Sequence, residues 1–160
     1  MLIAAAWNKD IVYRMGEMLG EEALHMDVSG WYAPGVNLHR SPFAGRNFEY
    51  YSEDPVISGI LGAEAVSGAA SRGLYAYTKH YAMNDQEAYR VDNGIATWAP
   101  EQAIREIYLR PFETVVKDSG APMDFIPDED GAHEQTEVSA SAMMSSFNRI
   151  GATWAGGSRS

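Results

Sequence analysis

The sequence has no cysteine, so disulfide bonds, thiolate nucleophiles and cysteine metal sites are all excluded. It is also poor in positive charge: 12 lysine and arginine residues stand against 22 aspartate and glutamate residues, a formal net charge of −10. Such a chain repels phosphate backbones and anionic lipid, so we expect neither nucleic acid nor a membrane as partner. No apolar run approaches the roughly 20 residues of a membrane helix. The lack of cysteine favours a cytoplasmic location, although the sequence leaves the compartment open.

The length of the chain sets a limit on its fold. A chain of 160 residues makes one ordinary domain but is too short for a complete eight-stranded α/β barrel, which needs about 250 residues. Hydrophobic residues make up 46% of the sequence and charged residues 21%, which is typical of a folded globular protein. The sequence contains no internal repeat, low-complexity tract or interdomain linker. We therefore treat it as one structural unit.

Three helices are predicted from the spacing of apolar residues and from capping residues. Asn8 caps the first helix, which should end near Gly30. Asp54 caps the second helix and is followed by a proline suited to the first turn. Pro100 opens the third helix, which Pro111 should kink or restart.

Short apolar runs between these helices predict three strands, at residues 31–38, 74–79 and 142–147. Strands separated by helices imply parallel crossover connections, so the predicted fold class is α/β. Three parallel strands form an incomplete sheet with open edges, which is typical of a section of a larger fold. The acidic residues 118–141 are predicted to form a solvated loop.

Motifs for several other chemistries are absent or incomplete. No glycine-rich phosphate loop follows a strand, no nucleophile-elbow serine occurs, and the four histidines lack zinc spacing. Asp128, Asp130, Gly131 and Glu137 match part of an EF-hand loop, but Ile126 occupies its first ligand position. We therefore predict no metal site and no cofactor.

Candidate binding residues follow the predicted strands. Ligands of α/β sheets and barrels bind at the carboxyl ends of the strands. The candidates found at the three strand ends are cations, amides, acids, hydroxyls and one aromatic residue: Asn37, His39, Arg40, Arg46, Lys79, His80, Asn84, Asp85, Glu87, Arg90, Ser145, Ser146, Phe147 and Asn148. Such donors and an aromatic face suit a neutral polyhydroxylated ligand, and the donors would also suit an anion.

Each candidate also has an ordinary structural interpretation. A Lys-His pair at a strand end is often on the surface, as for Lys79 and His80, and Arg46 could form a surface ion pair with Glu49. A lone phenylalanine such as Phe147 is more often a core residue. Position at a strand end therefore does not by itself establish a site.

Four blocks of the sequence resemble glycoside hydrolase family 3. They are WYAPGVNLHRSP (31–42), GRNFEYYSEDP (45–55), KHYAMNDQEAYR (79–90) and MSSFN (144–148). Their order and spacing are similar to those of the family's N-terminal barrel domain, and the second block is highly specific. The resemblance implies that residues 1–160 are part of that domain, a partial (β/α)8 TIM-type barrel, and that the family's second domain is absent.

The resemblance also implies an activity and a substrate class. Family members are mostly retaining, exo-acting β-glycosidases, which hydrolyse terminal non-reducing β-linked sugars. The residues after Lys79 and His80 are similar to the β-glucosidase and β-xylosidase branch rather than to the N-acetylglucosaminidase branch. The expected substrate is therefore a β-linked glucoside or xyloside, and the sequence leaves the sugar and its linkage open.

Site residues are carried over by the same resemblance. In the family, the arginines matching Arg46 and Arg90 and the pair matching Lys79 and His80 line the terminal-sugar subsite and bind its hydroxyls. Phe147 stands where many members carry a tyrosine, so the phenolic hydroxyl of those members is missing here.

The resemblance implies that this chain carries no catalytic residue. The family nucleophile is an aspartate in a Ser-Asp-Trp-like segment expected beyond Ser160, and the general acid is a glutamate of the second domain. A substrate-binding aspartate is expected upstream of Met1. We therefore expect the chain alone to be inactive, and to need a chain that supplies the rest of the barrel, or a second copy of itself.

Two further interpretations stay open at this stage. The chain could be a non-catalytic carbohydrate-binding α/β module that uses the same four basic residues. It could also be an unrelated flavodoxin-like α/β domain whose basic residues lie on the surface.

Overall fold

The structure is a computed structural model that describes residues 2–90, 94–128 and 131–157. The helices are α1 (Lys9–His25), α2 (Pro55–Ala70), α3 (Glu101–Ala103) and α4 (Arg110–Asp118), with a π-helical segment (Ile104–Tyr108) between α3 and α4. The strands are β1 (Gly30–Trp31), β2 (Tyr75–Tyr81), β3 (Ala96–Thr97), β4 (Ala121–Phe125), β5 (Glu134–Val138), β6 (Ala142–Ser145), β7 (Arg149–Ile150) and β8 (Thr153–Trp154).

The first two helices begin at the predicted caps. The Asn8 side-chain oxygen accepts hydrogen bonds from two backbone N–H groups of the first turn of α1, at 2.9 and 3.2 Å. The Asp54 carboxylate does the same for α2, at 2.7 and 3.0 Å, and Pro55 follows it. These caps satisfy backbone donors that have no partner within the helix. Both predicted helix starts are therefore confirmed, although α1 ends at His25, short of Gly30.

The third predicted helix is interrupted, as expected. It begins after Pro100 as α3, continues as the π-helical segment, and restarts as α4 with Pro111 in the first turn. Pro111 has no backbone N–H to donate, so a position in a first turn costs it no hydrogen bond.

The central sheet has the strand order β1-β2-β6, and both pairings are parallel. Helix α2 connects β1 to β2, and the α3–α4 region lies between β2 and β6. The α/β prediction with parallel crossovers is thus confirmed. The apolar side of the sheet packs on α2 and α4 through a buried cluster of Val36, Val66, Ala76, Phe112 and Val115.

The first predicted strand is much shorter than the expected range of 31–38. Regular pairing stops after Trp31, because Pro34 interrupts the strand and cannot donate a ladder hydrogen bond. The chain nevertheless stays beside β2: Lys79 N–H donates to the Pro34 carbonyl, and Val36 N–H donates to the Lys79 carbonyl, both at 2.9 Å. Gly35 bridges to Lys79 and to Tyr50. This irregular stretch brings the loop after β1 against the end of β2.

The predicted loop over residues 118–141 is wrong. Strands β4 and β5 pair in an antiparallel hairpin, and Gln135 donates a side-chain hydrogen bond to Asp124 across it at 2.9 Å. Both strands are polar and mostly exposed, so they lack the apolar alternation by which a strand is recognised. A second short hairpin, β7–β8, was also not predicted, and β7 pairs in parallel with β3.

The partial EF-hand match lies in and around the β4–β5 hairpin. Glu137 belongs to β5, and Asp130 lies outside the described residues. Within the described ranges, no group of three or more histidine, aspartate and glutamate side chains is arranged to hold a metal ion. In the same ranges, none of the helices combines the length and apolarity that crossing a bilayer requires.

Candidate functional site

A cluster of charged side chains forms where β2 ends. It consists of Arg46, Glu49, Lys79, Glu87 and Arg90, called the charged cluster below. Lys79 belongs to β2, whereas the other members come from a 3₁₀ turn after β1 and from the segment after β2. The irregular pairing of residues 34–36 with Lys79 is what brings these segments together.

Glu49 connects two of the cations. One of its carboxylate oxygens bonds to Arg46 Nε, and the other lies 3.2 Å from Lys79 Nζ. The side chains of Arg46, Glu49 and Lys79 are only 20%, 19% and 13% exposed. Burial alone would raise the pKa of Glu49, but the hydrogen bond from Arg46 and the charge of Lys79 outweigh it and hold that pKa below its usual value. The interpretation of Arg46 and Glu49 as a surface ion pair is therefore wrong.

Glu87 connects the other part of the cluster. Its Oε2 lies 2.9 Å from Arg90 Nε, and its Oε1 accepts a hydrogen bond from Asn84 Nδ2 at 2.9 Å and lies 3.8 Å from Arg46 Nη1. The Arg90 guanidinium carbon lies 5.2 Å from the centre of the Phe147 ring, in cation–π geometry. Phe147 is 59% exposed, so its interpretation as a core residue is wrong.

His80 is buried beside the cluster and is neutral at pH 7. Burial, with the charges of Arg46 and Lys79, lowers the pKa of its imidazole to about 4. The Asn37 side chain pairs with the His80 backbone in both directions: it accepts from the N–H at 2.7 Å and donates to the carbonyl at 3.0 Å. The Tyr50 hydroxyl lies 3.3 Å from His80 Nδ1. The surface interpretation of His80 is therefore wrong.

The structure thus brings all five predicted binding residues to one end of the sheet. Three further residues join them. The sequence placed Glu87 at the end of the second strand without a specific role, and it gave no binding role to Glu49 or Tyr50. These three residues lie within the blocks 45–55 and 79–90, so the same resemblance could have drawn attention to them. What the sequence lacks is the information that the two blocks face each other, because that depends on how the chain after β1 lies against β2.

The charges of the cluster favour one kind of ligand. Its three cations are interleaved with two carboxylates, so donors and acceptors of hydrogen bonds alternate over a short distance. A hydroxyl group both donates and accepts, and therefore fits such a surface. For an anion, the two carboxylates would offset much of the attraction of the three cations, each of which is already paired. Of the two ligand classes that suited the sequence, the geometry favours the neutral polyhydroxylated one.

Comparison with known proteins identifies the family of the chain. The family model of the glycosyl hydrolase family 3 N terminal domain matches residues 1–131. Beta-glucosidase A of Butyrivibrio fibrisolvens is 49% identical over 117 residues, which are 73% of this chain and 14% of that protein. Thermostable beta-glucosidase B of Acetivibrio thermocellus is 44% identical over 115 residues, 72% of this chain and 15% of that protein.

The fold agrees with a solved relative as well. Beta-glucosidase 3B of Thermotoga neapolitana, solved in complex with glucose, superimposes with a TM-score of 0.79 at 37% sequence identity. That match covers 96% of this chain and 18% of the other. The chain therefore spans less than a fifth of the length of these relatives. The predicted fold, part of a TIM-type barrel, is confirmed, and the flavodoxin-like alternative is wrong. By the family match over residues 1–131, the chain belongs to glycoside hydrolase family 3.

Proposed function

We propose that the charged cluster, with His80 and Phe147, is part of the terminal-sugar subsite of a retaining, exo-acting β-glycosidase. The ligand is the terminal non-reducing glucosyl or xylosyl unit of a β-linked substrate. The observation that carries the proposal is that four of the five residues implied by the family resemblance form one connected site through Glu49, Glu87 and the contact of Arg90 with Phe147. The fifth, His80, follows Lys79 directly and is buried beside it. The matched relatives support the substrate class, since they are named β-glucosidases and one was solved with glucose.

The side chains of the site make different kinds of contact with the sugar. Arg46, Lys79 and Arg90 donate charge-assisted hydrogen bonds to sugar hydroxyls, while Glu49 and Glu87 hold these cations in place and offer acceptor oxygens. Phe147 offers an exposed apolar face beside Arg90. Because the cations are already paired, they are fixed before the sugar binds, which reduces the entropy cost of binding.

Neither carboxylate of the cluster is proposed as a catalytic group. A retaining glycosidase needs a nucleophile and an acid/base about 5–5.5 Å apart, and the acid/base must be able to hold a proton. Glu49 has a lowered pKa and is bonded to two cations, so it does not serve as the acid. Glu87 is likewise held by Arg90 and Asn84. We propose that both catalytic carboxylates lie outside residues 1–160 and that these residues alone do not hydrolyse glycosides.

The same proposal includes a partner for the open side of the sheet. In the described part of the chain, β6 is an outer strand, with β2 on its other side. A groove of about 520 Å³ runs beside it, lined by the apolar side chains of Leu109, Phe112, Val116 and Met143 and also by Tyr81, Arg105, Glu113 and Lys117. A strand with one unpaired edge next to a partly apolar groove suits the docking of a further barrel strand with its helix. We propose that the remaining barrel strands dock there and complete the sugar pocket.

Binding of glucose tests the subsite directly. Glucose and xylose are titrated against the purified protein by calorimetry or by NMR, with Arg46→Ala as the test variant. We expect the substitution to weaken sugar affinity by about tenfold or more, since a hydrogen bond from a charged group is lost. Arg110→Ala is the matched control: this arginine is exposed and pairs with Glu113 in the described residues, away from the charged cluster. Equal losses in both variants would contradict the proposed site.

A graft tests the catalytic part of the proposal. This chain replaces the corresponding segment of the Thermotoga neapolitana enzyme, and hydrolysis of nitrophenyl β-glucoside and β-xyloside is measured. We expect activity in the graft, a large loss with Arg46→Ala, and none with the 160 residues alone. Hydrolysis by the 160 residues alone would contradict the proposal that both catalytic carboxylates lie outside them. Sugar binding without activity in the folded graft would favour a non-catalytic carbohydrate-binding module instead.

A further inference from the structure

The Tyr50 hydroxyl and the imidazole of His80 are in contact beside the charged cluster. The hydroxyl oxygen lies 3.3 Å from His80 Nδ1. Tyr50 and His80 are both buried, so their polar groups depend on one another rather than on water.

The direction of the hydrogen bond between Tyr50 and His80 follows from what each group has available. Tyr50 is only 1% exposed, and burial raises the pKa of its phenol, so the hydroxyl keeps its proton and needs an acceptor. In the described residues, His80 Nδ1 is the hydrogen-bond partner within reach of this hydroxyl. If His80 carried its proton on Nδ1, the phenolic oxygen could accept that hydrogen bond, but the phenolic proton itself would be left without an acceptor, which is costly in a buried site.

His80 has one competing contact at the same nitrogen. Asn37 Oδ1 lies 3.4 Å from Nδ1 and could accept a proton from it. That oxygen already accepts the His80 backbone N–H at the much shorter distance of 2.7 Å. The Tyr50 hydroxyl therefore decides between two neutral tautomers: with it, Nδ1 accepts a hydrogen bond, and without it, Nδ1–H donates to Asn37.

We propose that Tyr50 is a positioning residue that fixes His80 as the Nε2–H tautomer, so that the ring presents a hydrogen-bond donor to the ligand. The consequence for sugar binding rests on the proposed function, whereas the tautomer itself does not. In this arrangement His80 donates to an oxygen of a sugar hydroxyl.

The tautomer is measured by ¹⁵N NMR of the imidazole nitrogens in histidine-labelled protein at pH 7, where the ring is neutral. The sequence has four histidines, so the His80 signals are assigned by their loss in His80→Gln. We expect the Nε2–H form in the unsubstituted protein and conversion to the Nδ1–H form, or a mixture, in Tyr50→Phe. The Nδ1–H form in the unsubstituted protein, or an unchanged tautomer in Tyr50→Phe, would overturn the proposal.

Tyr51→Phe is the matched control. Tyr51 is the next residue, burial also raises the pKa of its phenol, and its side chain packs against the apolar cluster that includes Val12 and Leu61. Loss of this second hydroxyl should leave the His80 tautomer unchanged. A change of the His80 signals in both variants would point to a general rearrangement and would count against a specific role of Tyr50.

Glucose affinity, measured on the same variants, separates this inference from the proposed function. We expect Tyr50→Phe to weaken glucose binding by about five- to tenfold, as for one neutral hydrogen bond, and Tyr51→Phe to leave it unchanged. A tautomer change without any glucose binding in the unsubstituted protein would support the role of Tyr50 and contradict the sugar site. Glucose binding with a His80 tautomer that does not depend on Tyr50 would support the sugar site and contradict the role of Tyr50.

Discussion

The ammonium nitrogen of Lys79 lies 3.2 Å from one oxygen of the Glu49 carboxylate. The other oxygen of the same carboxylate bonds to Arg46. One acidic side chain from a turn after β1 thus holds a cation from β2 and a cation from its own turn. Without it, two positive charges would face each other in a site that is mostly screened from water, so Glu49 is needed for the folded arrangement of the cluster.

Replacing Glu49 with glutamine is therefore expected to destabilise the protein at neutral pH. The substitution keeps the shape but removes the charge, and we expect a loss of about 1–3 kcal/mol, between the values for exposed and buried pairs. Urea unfolding at pH 7 measures it. Glu101→Gln is the control, since Glu101 is 78% exposed and its pair with Arg105 is solvated. A loss no larger than in this control would contradict the structural role of Glu49.

The same variant has an expected pH dependence. The pKa of Glu49 is lower in the folded protein than its usual value of 4.5, so the folded state binds fewer protons than the unfolded state below that pH. The stabilisation is therefore complete above pH 4.5 and is lost as the pH falls through the folded pKa. We expect the stability difference between the two proteins to be constant from pH 6 to 8 and to shrink below pH 4.5.

What the sequence could predict depended on the range of the interaction. The caps at Asn8 and Asp54 bond to backbone groups two and three residues away, so the local sequence is enough to locate them. The link between Glu49 and Lys79 depends on the register between distant segments, which no local pattern encodes. The prediction of a loop in place of the β4–β5 hairpin failed for another reason. The hairpin is held by backbone pairing between polar strands, and polar strands resemble a loop in sequence.

The contact between α1 and α2 leads to a second prediction. A Cβ atom added at Gly68 would lie 2.0 Å from the carbonyl oxygen of Tyr13 and 3.0 Å from the backbone nitrogen of Glu17. Gly68→Ala must therefore push the two helices apart, although alanine is the better helix former by about 1 kcal/mol. We expect a net destabilisation of about 1–3 kcal/mol, measured by thermal or urea unfolding.

Gly120 offers the comparison for that substitution. A Cβ atom at Gly120 would meet only the Val138 carbonyl oxygen, at an ordinary contact distance of 3.8 Å. Gly120→Ala should therefore leave stability nearly unchanged. If Gly68→Ala were as mild as Gly120→Ala, the helices would not be in backbone contact as described.

Asp85 lies just outside the charged cluster and supplies the third prediction. Its Oδ1 atom is enclosed and has no hydrogen-bond partner among the described residues. Burial raises the pKa of this carboxyl to about 6, although the charge of Arg40 opposes the shift. A carboxyl with a raised folded pKa costs stability once it is ionised, so the protein should lose stability between about pH 4 and pH 6 from this group.

Replacing Asp85 with asparagine removes that charge while keeping its shape. We expect Asp85→Asn to be more stable than the unsubstituted protein by about 1–3 kcal/mol at pH 8, where the carboxyl is ionised in both states. At pH 4 the folded carboxyl is protonated, so the difference should largely disappear. Urea unfolding is measured at both pH values. The measurement at pH 4 is the control for any effect of the changed side-chain shape. A gain in stability of equal size at both pH values would mean that the amide improves packing and that the buried charge at Asp85 is not the cause.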